Sequence, residues 1–242
     1  MTRSSSLLTM LVGVCLVSIF HSSSFGQSST GSTQAQVQPE ADLHLQFPSQ
    51  WRVLAFTGLQ QGVGFPYQQW YAAAALGRQF KPILRPHLEN IDPDKERYIV
   101  FGGGYEYLRT TQSGKVKDEN RLVIELMFNY RPPLQFLVRD RNRIEFRWVN
   151  GSYSTTYRNE LGVERDFLVH GFRFTPYGSA EAFYDGAKNS WNEEWYTAGI
   201  QWPYKRVFMV DTYYQRQNCP TCTPANWNVG GVTLNFYVGN RK

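Results

Sequence analysis

Histidine, cysteine and long apolar runs are all scarce in this chain. Four histidines and three cysteines stand among 242 residues. Beyond residue 26 these reduce to His44, His87 and His170 and to Cys219 and Cys222. Acyl transfer needs a nucleophile, a base and a group that orients the base. No serine and histidine stand together at strand spacing, so no catalytic residue is assigned. No run after residue 26 reaches the roughly 18 apolar residues of a membrane-crossing helix. Zinc would require two ligands besides the cysteines of "CPTC", and His170 is far off in sequence. In an oxidising compartment Cys219 and Cys222 read as a short loop disulfide. A redox motif would open a helix, and none is readable there. No cofactor and no metal are expected.

The first residues have a different character. Arg3 precedes the apolar run "LLTMLVGVCLVSIF" and the small residues "HSSSFG", the order of a secretory signal peptide. Ser24 and Gly26 suit cleavage before Gln27, whereas Val14 before Cys15 does not suit a lipoprotein. Residues 1–26 are therefore read as a signal peptide. Its removal takes one arginine and lowers the net charge from +5 to +4. The sequence pI near 9.1 invites nucleic acid as a partner, but the basic residues alternate with acids instead of clustering, and export excludes it. Residues 27–40, "QSSTGSTQAQVQPE", are polar and low in complexity, and are expected to form a disordered lead-in.

From 41 to 242 the text is strand after strand. Segments near 42–47, 51–60, 68–80, 96–109, 119–131, 135–149, 153–167, 171–185, 193–202, 206–217 and 227–238 are separated by turn signals, and no helix is readable. "NG" at 150–151 is a two-residue hairpin signal because both residues accept positive φ. Short and long connectors alternate from residue 109 onward, as in an up-and-down antiparallel transmembrane barrel. Eleven segments break the even parity of bacterial barrels. A proline-marked strand at 83–89 would make twelve, and ten is the lower alternative.

Alternation does not say which face is inside; the choice of cation does. Lysines 81, 95, 115, 117, 188, 205 and 242 all fall in connectors or ends, and the strands carry arginine. Bulk water tolerates either, while a confined network favours the planar guanidinium fork. In "VRDRNRIEFRW" Arg139, Arg141, Arg143, Glu145 and Arg147 share one face. Neighbouring segments place Arg121 and Glu125, then Arg158, Glu160 and Glu164, then Arg173 and Glu181 on the matching parity. The other parity reads Leu, Ile, Phe, Tyr and Trp, with aromatics crowding the segment ends. These charged residues are expected to line the lumen, and outer-membrane lipid is the expected partner of the apolar face.

The blocks "ADLHLQFPSQWRV", "YIVFGGGYEYLRT", "DRNRIEFRW", "YRNELGVER", "TPYGSAEAFYD" and "VDTYYQRQN" together resemble the domain-of-unknown-function 2490 family over residues 40–238. The resemblance implies a bacterial outer-membrane β-barrel of unassigned function and brings no catalytic residues with it. Three roles compete. A narrow channel or scaffold with an arginine/carboxylate lumen is favoured, with small anionic solutes as the expected cargo. A lipid-acting hydrolase would have to use His44 or His170, with Asp42 beside His44. A surface-binding barrel would use loops 109–119, 185–193 and 217–226.

Overall fold

The structure is a computed structural model that describes residues 33–83, 91–132, 134, 136–205, 207–222 and 224–239. The signal-peptide reading, His87 and the 83–89 strand, apart from Ile83, lie outside the described residues. Among the described residues twelve strands run in chain order: β1 (Thr33–Gln46), β2 (Trp51–Val63), β3 (Tyr67–Pro82), β4 (Arg97–Gln112), β5 (Lys115–Tyr130), β6 (Phe136–Val149), β7 (Ser152–Arg165), β8 (Phe167–Val169), β9 (Phe172–Asp185), β10 (Ser190–Tyr204), β11 (Phe208–Asn218) and β12 (Asn226–Gly239). All but β8 close into one ring. Each of the eleven segments read from sequence is one ring strand. The twelfth strand is the three-residue β8, which follows β7 after Asp166 and pairs antiparallel with the first residues of β9.

An odd ring has a geometric consequence. Strands that go up and down in turn leave the first and last running the same way, so β1 pairs with β12 in parallel, from Thr33 opposite Asn226 to Gln46 opposite Gly239. Every other ring pair is antiparallel. The seam corrects one expectation. Residues 33–40 are not a disordered lead-in; they form the first half of β1. Their polarity reflects alternation, not solvation: Gln36 is buried and inward, and both strand edges are paired.

The connectors are also shorter than the sequence implied. "TTQSGKVKDEN" continues the β4–β5 ladder to a turn at 113–114, with Gln112 opposite Lys115. Asn150 and Gly151 turn the β6–β7 hairpin with φ of 48° and 86°, as their residue types require. Of the proposed surface loops, 109–119 is therefore mostly ladder with its tip at 113–114, 185–193 narrows to a tip at 186–189, and 217–226 remains a loop between β11 and β12. These tips define a hairpin rim. The opposite rim carries the long β3–β4 connector, which contains the 3-10 turn Pro93–Glu96.

The wall is apolar outside. Leu122 is 48% exposed and Leu161 58%, while Glu145 between them in sequence is 1% exposed. Exposed aromatics gather toward both rims: Trp51, Tyr130, Trp202 and Tyr204 near the connector rim, and Trp70, Tyr153, Trp191 and Tyr214 near the hairpin rim. On the buried face, three tyrosines lie over glycines directly opposite them. Tyr71 covers Gly58, Tyr177 covers Gly199 and Tyr213 covers Gly231. A Cβ at any of these glycines would collide with the ring.

Candidate functional site

The buried face of β4–β7 and β9 carries one interlocked ion network. Arg147 Nε and Arg121 Nε approach Glu119 Oε1 at 2.5 and 2.6 Å. Arg143 Nη2 lies 2.5 Å from Glu106 Oε1 and its Nε 3.8 Å from Glu125. Arg158 donates Nη1 to Glu145 at 2.9 Å, and Nε and Nη2 to the two oxygens of Glu181, both at 2.9 Å. Arg141 Nη2 bridges Glu160 at 2.5 Å and Glu181 at 3.3 Å. Its guanidinium also engaged from above, Arg158 lies 4.5 Å from the Phe183 ring centroid and 5.1 Å from that of Trp195. Two-toothed contacts of this kind explain the preference for arginine over lysine.

Each of the four arginines of "VRDRNRIEFRW" has a carboxylate neighbour, since Arg139 Nη2 is 4.0 Å from Glu164. Of the residues singled out from sequence, Arg121, Glu125, Arg141, Arg143, Glu145, Arg147, Arg158, Glu160 and Glu181 meet in the network. Arg139 and Glu164 form a separate group with Lys95, and Arg173 pairs with Asp166 at 3.0 Å near the connector rim. Sequence reasoning missed Glu106 and Glu119. Glu119 shares the parity of Arg121 and Glu125, but the presumed long loop hid it. Arg165 points outward, between the rings of Phe136 and Phe167.

The β3–β4 connector supplies the other missed residues. Lys95, only 2% exposed, sends Nζ across the ring to Glu164 Oε2 at 2.7 Å and Gln201 Oε1 at 2.6 Å. Asp94 meets Arg52 Nη1 at 2.5 Å and accepts from Gln79 Nε2. Asn129 Nδ2 donates to the carbonyl oxygens of Asp94 and Arg97, both at 2.9 Å. Ile91 packs with Met209 and Tyr237. The connector thus reaches β2, β3, β5, β7, β10, β11 and β12. Burial pushes the Asp94 carboxyl up to about 6 against the pull of Arg52. Asp92 is held below the usual carboxylate range: burial opposes this, but Lys95 and Arg52 outweigh it.

The other half of the interior is built differently, from tyrosines, amides and acids. Tyr71 Oη donates to Glu40, Gln38 Nε2 donates to Tyr71 Oη at 2.9 Å, and Tyr177 Oη donates to Asp211 at 3.1 Å. His44 is stacked on Tyr237 with centroids 4.3 Å apart, and its Nε2 is 3.2 Å from Asn235 Oδ1. His170 sits in the exposed turn before β9, far along the chain from both. A cavity of about 50 Å³ lies between Arg143 and Glu125 on one side and Ala73, Ala75, Gly102 and Gly104 on the other, room for a few water molecules.

Cys219 and Cys222 form a disulfide on the hairpin rim. The Glu193 carboxylate lies within 4.8 Å of both sulfurs. As thiolates they would offer three metal ligands with it; the disulfide withdraws two of them.

A family model described as "Protein of unknown function (DUF2490)" matches residues 45–228, and the chain belongs to that family. No curated protein and no solved structure matches it.

Proposed function

We propose that this member of a family of unknown function is an outer-membrane β-barrel, exported by a cleaved signal peptide, whose ionic lumen is closed at rest. The exposed face supports the membrane reading. It is apolar along the strands with aromatics toward both rims, the arrangement that suits hydrocarbon between two interfaces. On that reading the arginines and carboxylates line the lumen and hold the strands in register.

The observation that carries the closed state is the connector. Lys95 spans the ring to Glu164 and Gln201 while Asp94 is fixed by Arg52 and Gln79. With both ends of the dipeptide fastened to opposite walls, solute passage along the axis requires the connector to withdraw. The barrel is then a scaffold at rest and a narrow channel only on release. Small anions are the cargo proposed for the released state, drawn by the arginine-rich half; because every guanidinium of "VRDRNRIEFRW" has an acidic neighbour, the preference is weak.

Planar-bilayer recording tests this. Wild-type protein should be silent or open rarely. Lys95→Met, which keeps length and removes the charge, should raise the frequency of openings at least tenfold. Large steady conductance from the wild type would overturn the closed reading, and cation preference in the opened variant would remove the anion proposal.

A further inference from the structure

Three neighbouring side chains break the apolar pattern of the exposed face. Asp140 and Asn142 on β6 and Asn159 on β7 sit on the parity of Phe128, Ile144 and Leu161, which are exposed. Asn159 Nδ2 donates to Asp140 Oδ1 at 2.8 Å and Asn142 Nδ2 to the same oxygen at 3.1 Å. Tyr157 Oη donates to Asn142 Oδ1 at 2.6 Å. The Asp140 carboxylate has no arginine or lysine in ion-pair reach among the described residues. Beside this group the wall is flat, because β9 presents Ala180 and Ala182, directly opposite Leu161 and Asn159.

A carboxylate inside a lipid-facing wall is unfavourable unless something polar meets it. Between membrane helices, small residues next to polar ones allow close approach and shared hydrogen bonds, and two sheet walls with low side chains can approach on the same steric ground. Asparagines soften the position of Asp140 but leave its charge uncompensated, so the missing partner is a cation.

The same chain carries that cation elsewhere on its exterior. Arg78 on β3 lies 5.3 Å from the ring centroids of both Trp51 and Phe80, with no carboxylate in ion-pair reach among the described residues. Beyond the exposed Leu76 the same face of β3 continues as Ala72 and Ala74, and Gly103 of β4 lies opposite Leu76, so small residues stand one position removed from Arg78. Three other outward arginines are engaged differently. Arg109 pairs with Asp118, Arg216 holds Asn218 and Asn228, and Arg165 lies between two phenylalanines next to the Asp140 side of the ring. Arg78 and Asn142 share one rung of the sheet through Phe101 and Leu126, three strands apart. Arg78 lies toward the connector-rim end of β3, and Asp140 toward that end of β6.

We infer that copies of this chain associate side by side in the membrane, the Asp140–Asn142–Asn159 strip of one copy against the Arg78 strip of the next. The two strips differ, so the contact is heterologous and builds a ring or a row of copies instead of a two-fold dimer. In it the carboxylate gains a guanidinium, and the small residues let the two walls meet closely. The inference rests on the membrane reading above.

The test uses the full-length protein in native membranes and after detergent extraction. Membrane fractionation and heat-dependent electrophoretic mobility first establish that each variant is a membrane-inserted, folded barrel. Zero-length carboxylate–amine chemistry is unsuited to arginine, so association is read from the mass of the extracted particle and from membrane crosslinking of exposed-turn lysines. Wild type should exceed the monomer. Asp140→Lys and Arg78→Glu should each cut the crosslinked fraction at least tenfold, and the double reversal should restore it. A wild-type monomer in both settings overturns the inference, as does an oligomer indifferent to both single reversals; the first leaves lipid, and the second a different protein surface, as the partner of these strips. A folded barrel that is monomeric leaves the membrane reading standing, whereas a protein absent from the membrane fraction ends both.

Discussion

Lys95 Nζ lies 2.7 Å from Glu164 Oε2, although 69 residues separate them in the chain. The lysine comes from a connector and the glutamate from β7 on the buried face of the wall, so one ion pair joins what covers the rim to what lines the ring. Removing either partner of a buried pair strands the other charge, at a cost of about 3–5 kcal/mol. This makes the connector a structural part of the barrel and not an appended loop.

Connector docking should depend on pH through Asp94. Its carboxyl is pushed up to about 6 by burial, from 3.8 when free. The docked form therefore holds a proton that the free form has shed, so this contribution is complete below about 3.8 and is lost as pH rises through about 6. Arg52, Gln79, Asp92 and Arg139 are the groups that act on Asp94, and Asp92 stays ionised across that window. Channel openings in bilayers should become more frequent between pH 4.5 and 7.5. Asp94→Asn, a permanent mimic of the neutral acid, should flatten the profile; an unchanged profile in that variant assigns the titration elsewhere.

The parallel seam makes a register prediction. Ala41 faces Leu234, and Ala35 faces Asn228. Cysteines at 41 and 234 should crosslink on oxidation, while cysteines at 41 and 228 should not. Deleting residues 33–40 should remove half of that seam and lower the unfolding temperature of the barrel. A deletion with unaltered melting would mean that the ring closes without these residues.

Gly231 lies beneath the ring of Tyr213 on the opposite strand. Gly231→Val should destabilise the barrel by about 1–3 kcal/mol through overpacking, read from the urea midpoint of refolding into lipid vesicles. Adding Tyr213→Ala should recover part of the loss, since the obstruction is then gone. Equal stability of the wild type and Gly231→Val would show that the ring has room to move aside.

Much of this was legible in the residues. The period-two charge pattern of 121–131 and 135–149 located the strands and the ionic face, because alternation is a local property of the backbone. Arginine in place of lysine told which face was confined. What stayed hidden depends on closure. Residues 33–40 look like polar linker, and only their pairing with β12 makes them a strand. "NIDPDKER" looks like an exposed, proline-broken turn, and nothing local reveals that Lys95 and Asp94 turn inward to partners 69 and 42 residues away in sequence. The strand count was similarly ambiguous, since parity argued for an even ring and a parallel seam permits an odd one.

Spin labels placed singly along β5, at positions 121 to 128 in protein reconstituted into lipid vesicles, test the account most directly. At the even positions, including Leu122, Ile124 and Phe128, labels should be accessible to oxygen dissolved in the bilayer. At the odd positions, including Arg121, Val123 and Glu125, labels should be shielded from it. The reverse alternation, with oxygen reaching the odd positions, would contradict a barrel whose apolar side meets lipid and whose ionic side is enclosed.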